Sequence, residues 1–384
     1  MKSSNVIIKW ACTALFLVFT YCYLRFYQCD LLAIIQDVLS QGQTTYHPII
    51  GAILLTIVFF LLCLSIQLLF KPHPHLHALT YFPSLLLLAQ LLDVDKNCMN
   101  PFIHWHYVTL TLLIIVVMGW ILLAIATTRM AKLKPVNTAW LRPERVLWCN
   151  MLIMSVMFLM VIFVGNNSKS LHQQARIEYL LKHGDAEAAL KVVYGSRNGH
   201  SMSDTTLTML RCHALALTGK LGDELFHYDV CGGSEALLPR INEKLTWIYP
   251  QSEIYKTIGA YDKHDDSAII RLKRICRYFP DKNVATDYLL TAYLLDRQLP
   301  QFATLLSKSH YTADSLRNLP QHYAEALMLY KHKYDDPKII VNEPVVATNY
   351  DDFMAIADSI SDNHSRQYQL YKGFRNTYWY YFYK

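Results

Sequence analysis

Residues 48–70, PIIGAILLTIVFFLLCLSIQLLF, carry no charge and scarcely a polar group. An α-helix rises 1.5 Å per residue, so about 20 such residues cover the hydrocarbon core of a bilayer. A run like this constrains the chain more than any other feature, because water is a poor solvent for a helix that is apolar all round. Four more apolar stretches share the first part of the sequence, and together they predict spans at about 8–27, 48–70, 76–92, 107–126 and 146–164. The third is short, opens on polar residues and contains Pro83, so a re-entrant or interfacial placement also fits it.

Charge divides the chain in two. Up to Gly165 there are ten Lys/Arg and five Asp/Glu; beyond it there are 26 and 25. The expected fold class is therefore all-α: a transmembrane helix bundle over 1–165, then an extramembrane helical domain over 166–384. The near-neutral second part argues against a nucleic-acid partner, which needs a basic face to neutralise phosphates. Its one basic run, RLKRICR at 271–277, reads as a solvated helix face.

Loop charges give a direction. Arg129, Lys132, Lys134, Arg142 and Arg145 stand against Glu144 alone between the last two spans, which places that loop in the cytoplasm by the positive-inside rule. Five crossings then put the N-terminus, with Lys2 and Lys9, and Lys71 inside. Asp30, Asp37, Asp93 and Asp95 fall in outside loops. The first span follows Lys2 and lacks a small-residue cleavage site, so it reads as an uncleaved anchor. The expected location is an inner membrane, with the C-terminal domain in the periplasm.

The chemistry-bearing residues do not form a recognised motif. His73, His75 and His77, with His104 and His106, raise the question of a metal site, since imidazole is a common metal ligand. Five crossings place the two groups on opposite sides, and the plain reading is polar interface residues beside Trp105 and Tyr107. There is no HExxH and no CxxC. Cys12, Cys22 and Cys63 read as small buried hydrophobes, Cys149 lies at the start of the fifth span, and Cys212, Cys231 and Cys276 form an odd set in the second domain. No catalytic, cofactor-binding or metal-ligating residue is therefore assigned, and no cofactor is implied.

From about 168 the apolar residues recur at helical spacing. Helix stops at Gly184-Asp185 and at Gly219 or Gly222 lie 35 or 38 residues apart, close to the 34-residue period of tetratricopeptide helix pairs. Further helices are expected up to Pro280, through Tyr288–Tyr293 with a break at Leu299-Pro300, and from Pro320 through Tyr330. IIVNEPVVAT, at 339–348, reads as an extended connector because Pro344 interrupts it. Tyr368, Tyr371 and Phe374 share one helix face, with a break at Gly373.

The chain ends on TYWYYFYK. Such a run is an aggregation hazard in water, and three placements fit it: a cap across the last helix pair, a seat at the membrane interface, or a docking element for a partner. The cap is preferred, because a stack of helix pairs must cover its final apolar face. A barrel-type terminal strand fits less well, since Lys384 follows the last aromatic residue.

Together, LPQHYAEALMLY at 319–330 and the ending TYWYYFY, behind a bundle of spans, resemble an uncharacterised Bacteroidota family of multi-pass membrane proteins with a tetratricopeptide-like outer half. The resemblance implies a Gram-negative inner-membrane protein and no reaction. The function expected is a membrane-anchored periplasmic scaffold, with the lipid bilayer and a protein or peptide as partners. The alternative is a membrane-embedded enzyme or transporter with His104, His106, Asp93 and Asp95 at its outer mouth.

Overall fold

The fold is given by a computed structural model, which describes residues 2–70, 74–91, 119, 143–165, 168–192, 204–240, 243, 245–259, 264, 266–309, 311, 319–335, 339 and 343–384. The chain divides into two compact units, Met1–His172 and Gln173–Lys384. The described residues are helical and contain no strand.

In the first unit, α1 (Lys2–Cys22) runs into a π-helical turn, Tyr23–Tyr27, and is followed by α2 (Cys29–Leu39) and α3 (Pro48–Phe70). A 3-10 helix, Pro74–Tyr81, leads into α4 (Phe82–Leu91), and α5 spans Pro143–Val164. Among the described residues three stretches are long and apolar enough to cross a membrane: Val6–Tyr27, Pro48–Leu69 and Glu144–Phe163. They turn large apolar side chains outward, among them Trp10, Leu54, Leu68, Trp148, Leu152 and Phe163. Surfaces of that kind are stable against lipid tails and not against water.

The expected third span is a shorter apolar helix, Leu76–Leu91, and the fourth, 107–126, lies outside the described residues except for Gly119. Polar side chains fasten the third segment to its neighbours. Asn150 accepts from the Ala78 N–H at 2.8 Å and donates to the Val146 carbonyl, while Ser84 donates to the Phe59 carbonyl and Gln67 to Thr80. The Thr13 and Tyr81 hydroxyls pair at 2.8 Å. Each bond satisfies a group that hydrocarbon would leave unpaired, which is how polar residues join helices in lipid. The same contacts order the bundle. Tyr81 meets α1 at Thr13, Phe19 stacks on Phe158, and the Tyr23 hydroxyl lies beside Gly165, so α1 and α5 are parallel.

Two expectations for this unit need correction. Asp30 and Asp37 do not sit in an open loop; both are buried on α2, with Asp30 in its first turn, where a carboxylate complements the helix dipole. His77, expected to be a polar residue at the membrane interface, is buried within the unit edge-on to Tyr81. His73 and the side chain of His75 lie outside the described residues.

The second unit begins with α6 (Lys169–Lys182), which starts just before the boundary, and continues through α7 (Ala186–Leu190), α8 (Thr205–Leu217) and α9 (Leu221–Glu224). After two 3-10 turns, Leu225–His227 and Gly233–Ala236, come α10 (Gln251–Ile258), α11 (Ala268–Tyr278), α12 (Asn283–Leu295) and α13 (Leu299–Leu306). The last four helices are α14 (Gln321–Lys333), α15 (Pro344–Ser359), α16 (Asn363–Phe374) and α17 (Tyr378–Tyr383). Helix α12 lies at the centre. Tyr288, Leu289, Leu290, Ala292 and Leu294 are all buried, and α10, α11 and α13 pack on it.

One turn recurs three times. After α6, Asp185 N–H bonds to the Leu180 carbonyl and Gly184 N–H to Leu181; after α8, Lys220 bonds to Leu215 and Gly219 to Ala216. These are Schellman caps, with Gly184 and Gly219 at φ +79 and +72. Gln298 to Tyr293 and Arg297 to Leu294 repeat the pattern after α12, but the left-handed position there, at φ 59, is an arginine.

Several expected boundaries move. Gly222 lies inside α9, so the repeating turns are Gly184 and Gly219. The break expected at Leu299-Pro300 falls at Arg297-Gln298, because proline is well placed in a first helical turn. For the same reason Pro344 opens α15 instead of interrupting an extended connector. Helix α16 runs through Gly373 and ends at Phe374.

Gly222 is required by close approach. A Cβ there would stand 2.6 Å from the Pro320 Cβ and 3.0 Å from the Tyr323 ring. Gly222→Ala is predicted to lower the unfolding free energy by about 1–3 kcal/mol, the cost of overpacking. Thermal unfolding of the full chain in detergent checks this.

Candidate functional site under the aromatic terminus

The aromatic ending folds back into the core of the second unit. Thr377 caps α17 by accepting from the Tyr380 N–H, and Tyr378 and Trp379 are buried to about 0 and 1% exposure. Trp379 lies against Tyr350 and Phe353 of α15, with ring centroids 5.3 and 6.2 Å apart. Full burial of one such side chain contributes about 1.5–3 kcal/mol. The hydroxyls also find partners, Tyr378 donating to the Leu294 carbonyl and Tyr381 to that of Leu295.

Beneath the tail lies a buried histidine–glutamate pair on α14. His322 Nδ1 is 3.0 Å from Glu325 Oε2, and its Nε2 accepts from the Phe226 N–H at 3.2 Å. Those partners fix the imidazole as the Nδ1–H tautomer. Glu325 Oε2 also accepts from the Tyr378 N–H at 2.7 Å, and Oε1 from Gln321 at 2.9 Å. The Glu325 carbonyl accepts from the Trp379 indole N–H at 2.8 Å. One residue thus holds the first amide of α17 and its largest side chain. Burial, with His322 beside it, keeps the nearby His227 imidazole below its ordinary pKa.

A cation completes the clasp. Arg297 donates to the Tyr381 carbonyl at 3.2 Å and lies over the Tyr381 and Phe382 rings. Lys333 sits 4.5 Å from the Phe382 centroid. Glycine would fit the backbone at 297 with less strain, but it could not reach the tail.

Other buried polar groups do comparable structural work. Glu178 accepts from the Trp247, Ile248 and Tyr249 amides and from Gln174, while burial pushes its carboxyl above the usual range. Arg271 donates to the Pro239 carbonyl and the Tyr255 hydroxyl. His213 bonds the Tyr249 hydroxyl at 2.7 Å, and burial pulls its pKa down to about 4.

The residues considered from sequence as a polar mouth, Asp93, Asp95, His104 and His106, lie outside the described residues, as do Trp105 and Tyr107. Among the described residues no group of three His, Cys, Asp or Glu is arranged to hold a metal ion. Cys212 is buried, Cys276 half-buried and Cys231 exposed, all as free thiols; Cys12 and Cys63 are buried, whereas Cys22, expected to be buried, is exposed on α1. Sequence reasoning singled out the ending but missed Glu325 and His322. Both stand in LPQHYAEALMLY, and a polar pair three apart within the apolar stretch of the helix was the available signal.

Two predictions follow from this geometry. Glu325→Ala leaves the His322 and Tyr378 N–H groups without acceptors. The expected loss is about 2–4 kcal/mol, with trypsin cutting after Arg375 faster than in the parent chain. His213 gives a pH dependence. Its folded pKa lies below the unfolded value of about 6.5, so its contribution is present above that pH and lost as the pH falls toward 4. The slope approaches about 1.4 kcal/mol per unit. His213→Gln should flatten stability between pH 6.5 and 4.5, as read by chemical denaturation.

The sequence model of a family of unknown function (DUF6057) matches residues 96–269 and 260–384. No curated protein and no solved structure matches the chain.

Proposed function

The chain belongs to this family of unknown function, and from its residues we propose that it is a membrane-anchored helical interaction protein of a bacterial envelope. The observation that carries the reading is the use of its buried polar groups. His322, Glu325, Glu178 and Arg271 have the side chains that chemistry would recruit, and each is engaged in holding backbone or closing the terminus. Such a unit offers its surface to partners and not a reaction centre.

The repeated Schellman turns support a tetratricopeptide-like stack, since each joins a longer helix to a shorter one, and after Gly219 and Arg297 the two pack together. Parallel α1 and α5 support the orientation. Lys2 and Lys9 at the start of one, and Arg145 at the start of the other, then share an end of the bundle, which the positive-inside rule assigns to the cytoplasm. The Pro74–Leu91 segment, running from Asn150 toward Val161 along α5, supports the multi-pass reading with five crossings. The second unit, on the far side, would face the periplasm of an inner membrane.

The test pairs topology with capture. A phosphatase active only in an oxidising compartment, fused after Lys384, is expected to be active, and crosslinking in native envelopes is expected to trap a defined protein on residues 173–384. An active cytoplasmic reporter at the same position would overturn the orientation. Failure to trap any protein at saturating crosslinker would overturn the interaction role.

A further inference from the structure

The last two long helices carry opposite charge. From 343 to 362 the chain has Glu343, Asp351, Asp352, Asp358 and Asp362 and neither Lys nor Arg; from 363 to 384 it has Arg366, Lys372, Arg375 and Lys384 and no acid. Helices α15 and α16 pack side by side through Phe353, Leu370 and Phe374. Their charges point elsewhere. Asp351, Asp352 and Asp358 are exposed on α15 while Phe353 is buried, and Lys372 and Arg375 are exposed on α16 with Tyr368 opposite the buried Leu370. No ion pair joins these acids to these bases among the described residues. Each charged face also presents a large apolar side chain to solvent, Val345 at 72% on α15 and Tyr368 at 59% on α16.

We propose that this hairpin is a contact between two copies of the chain, α15 of each lying against α16 of the other. A two-fold axis makes one patch serve both partners, so a surface with an acidic half and a basic half is self-complementary. An anionic bilayer would satisfy the basic half and repel the acidic one; a second copy satisfies both. This contact is independent of the envelope partner proposed above and leaves the rest of the second unit free for it.

Two full-length variants test it. One replaces Asp351, Asp352 and Asp358 with Lys; the other replaces Lys372 and Arg375 with Glu. Each variant repels itself in the two-fold arrangement, but the two together are complementary at both contacts. Differently tagged copies are co-expressed, extracted in uncharged detergent, and scored for co-purification. The parent pair is expected to co-purify, each variant paired with itself to fall by about tenfold or more, the equivalent of roughly 1.4 kcal/mol, and the mixed pair to recover. Recovery also shows that both variants fold. Raised salt should weaken the parent pair.

A parent chain that stays single, or pairing that survives both reversals, overturns the proposal. So does a mixed pair that fails to recover while each variant keeps the parent's circular dichroism. Protection of Lys372 and Arg375 from trypsin only in nanodiscs containing anionic lipid would assign the basic face to the bilayer and also overturn it.

Discussion

Carboxylates reaching across the chain to the starts of distant helices hold the second unit together. Asp223 accepts from the first amide of α14, Glu235 from that of α11, Asp296 from Ser234 in the Gly233–Ala236 turn, and Glu325 from that of α17. A helix start leaves N–H groups without intrahelical partners and carries a partial positive charge, so an acid there satisfies both at once. Pro320 and Ser267, the local cap residues of α14 and α11, make no side-chain cap of their own. The long-range acids therefore set which elements meet.

Glu325 is the point where this scheme closes. It joins α14 to α17, and through His322 it reaches the Phe226 amide, so three separate segments converge on one carboxylate. Arg297 holds the same tail from the turn after α12, at a backbone position where glycine would be less strained. An ending that would otherwise be an apolar liability becomes the lid of the core. In the membrane unit the equivalent constraint is internal satisfaction of polar groups, which Asn150, Ser84 and Tyr81 meet at the third segment.

The elements that local chemistry determines were legible in the sequence. Apolar length marked Val6–Tyr27, Pro48–Leu69 and Glu144–Phe163, and Gly184 and Gly219 marked two turns because only a residue at ease with positive φ ends a helix that way. The third such turn went unread because Arg297 occupies the glycine position for the sake of a contact 84 residues away. Pro300 and Pro344 misled because a proline that stops one helix also starts another. Glu325 and His322 were illegible as a pair under the tail, since nothing in local spacing says which amide a buried carboxylate will meet. The burial of Asp30 and Asp37 was missed for a similar reason: loop acids and acids on a buried helix look alike in sequence.

The central claim is that the aromatic terminus is held as core by Glu325. Amide hydrogen exchange of the full chain in nanodiscs, followed at Tyr378 to Tyr383, tests it most directly. The account predicts that amides of this last helix donating to Glu325 and within α17 exchange on the slow timescale of α12 and α14. Exchange at the rate of a frayed terminus, with α12 and α14 still protected, would contradict it.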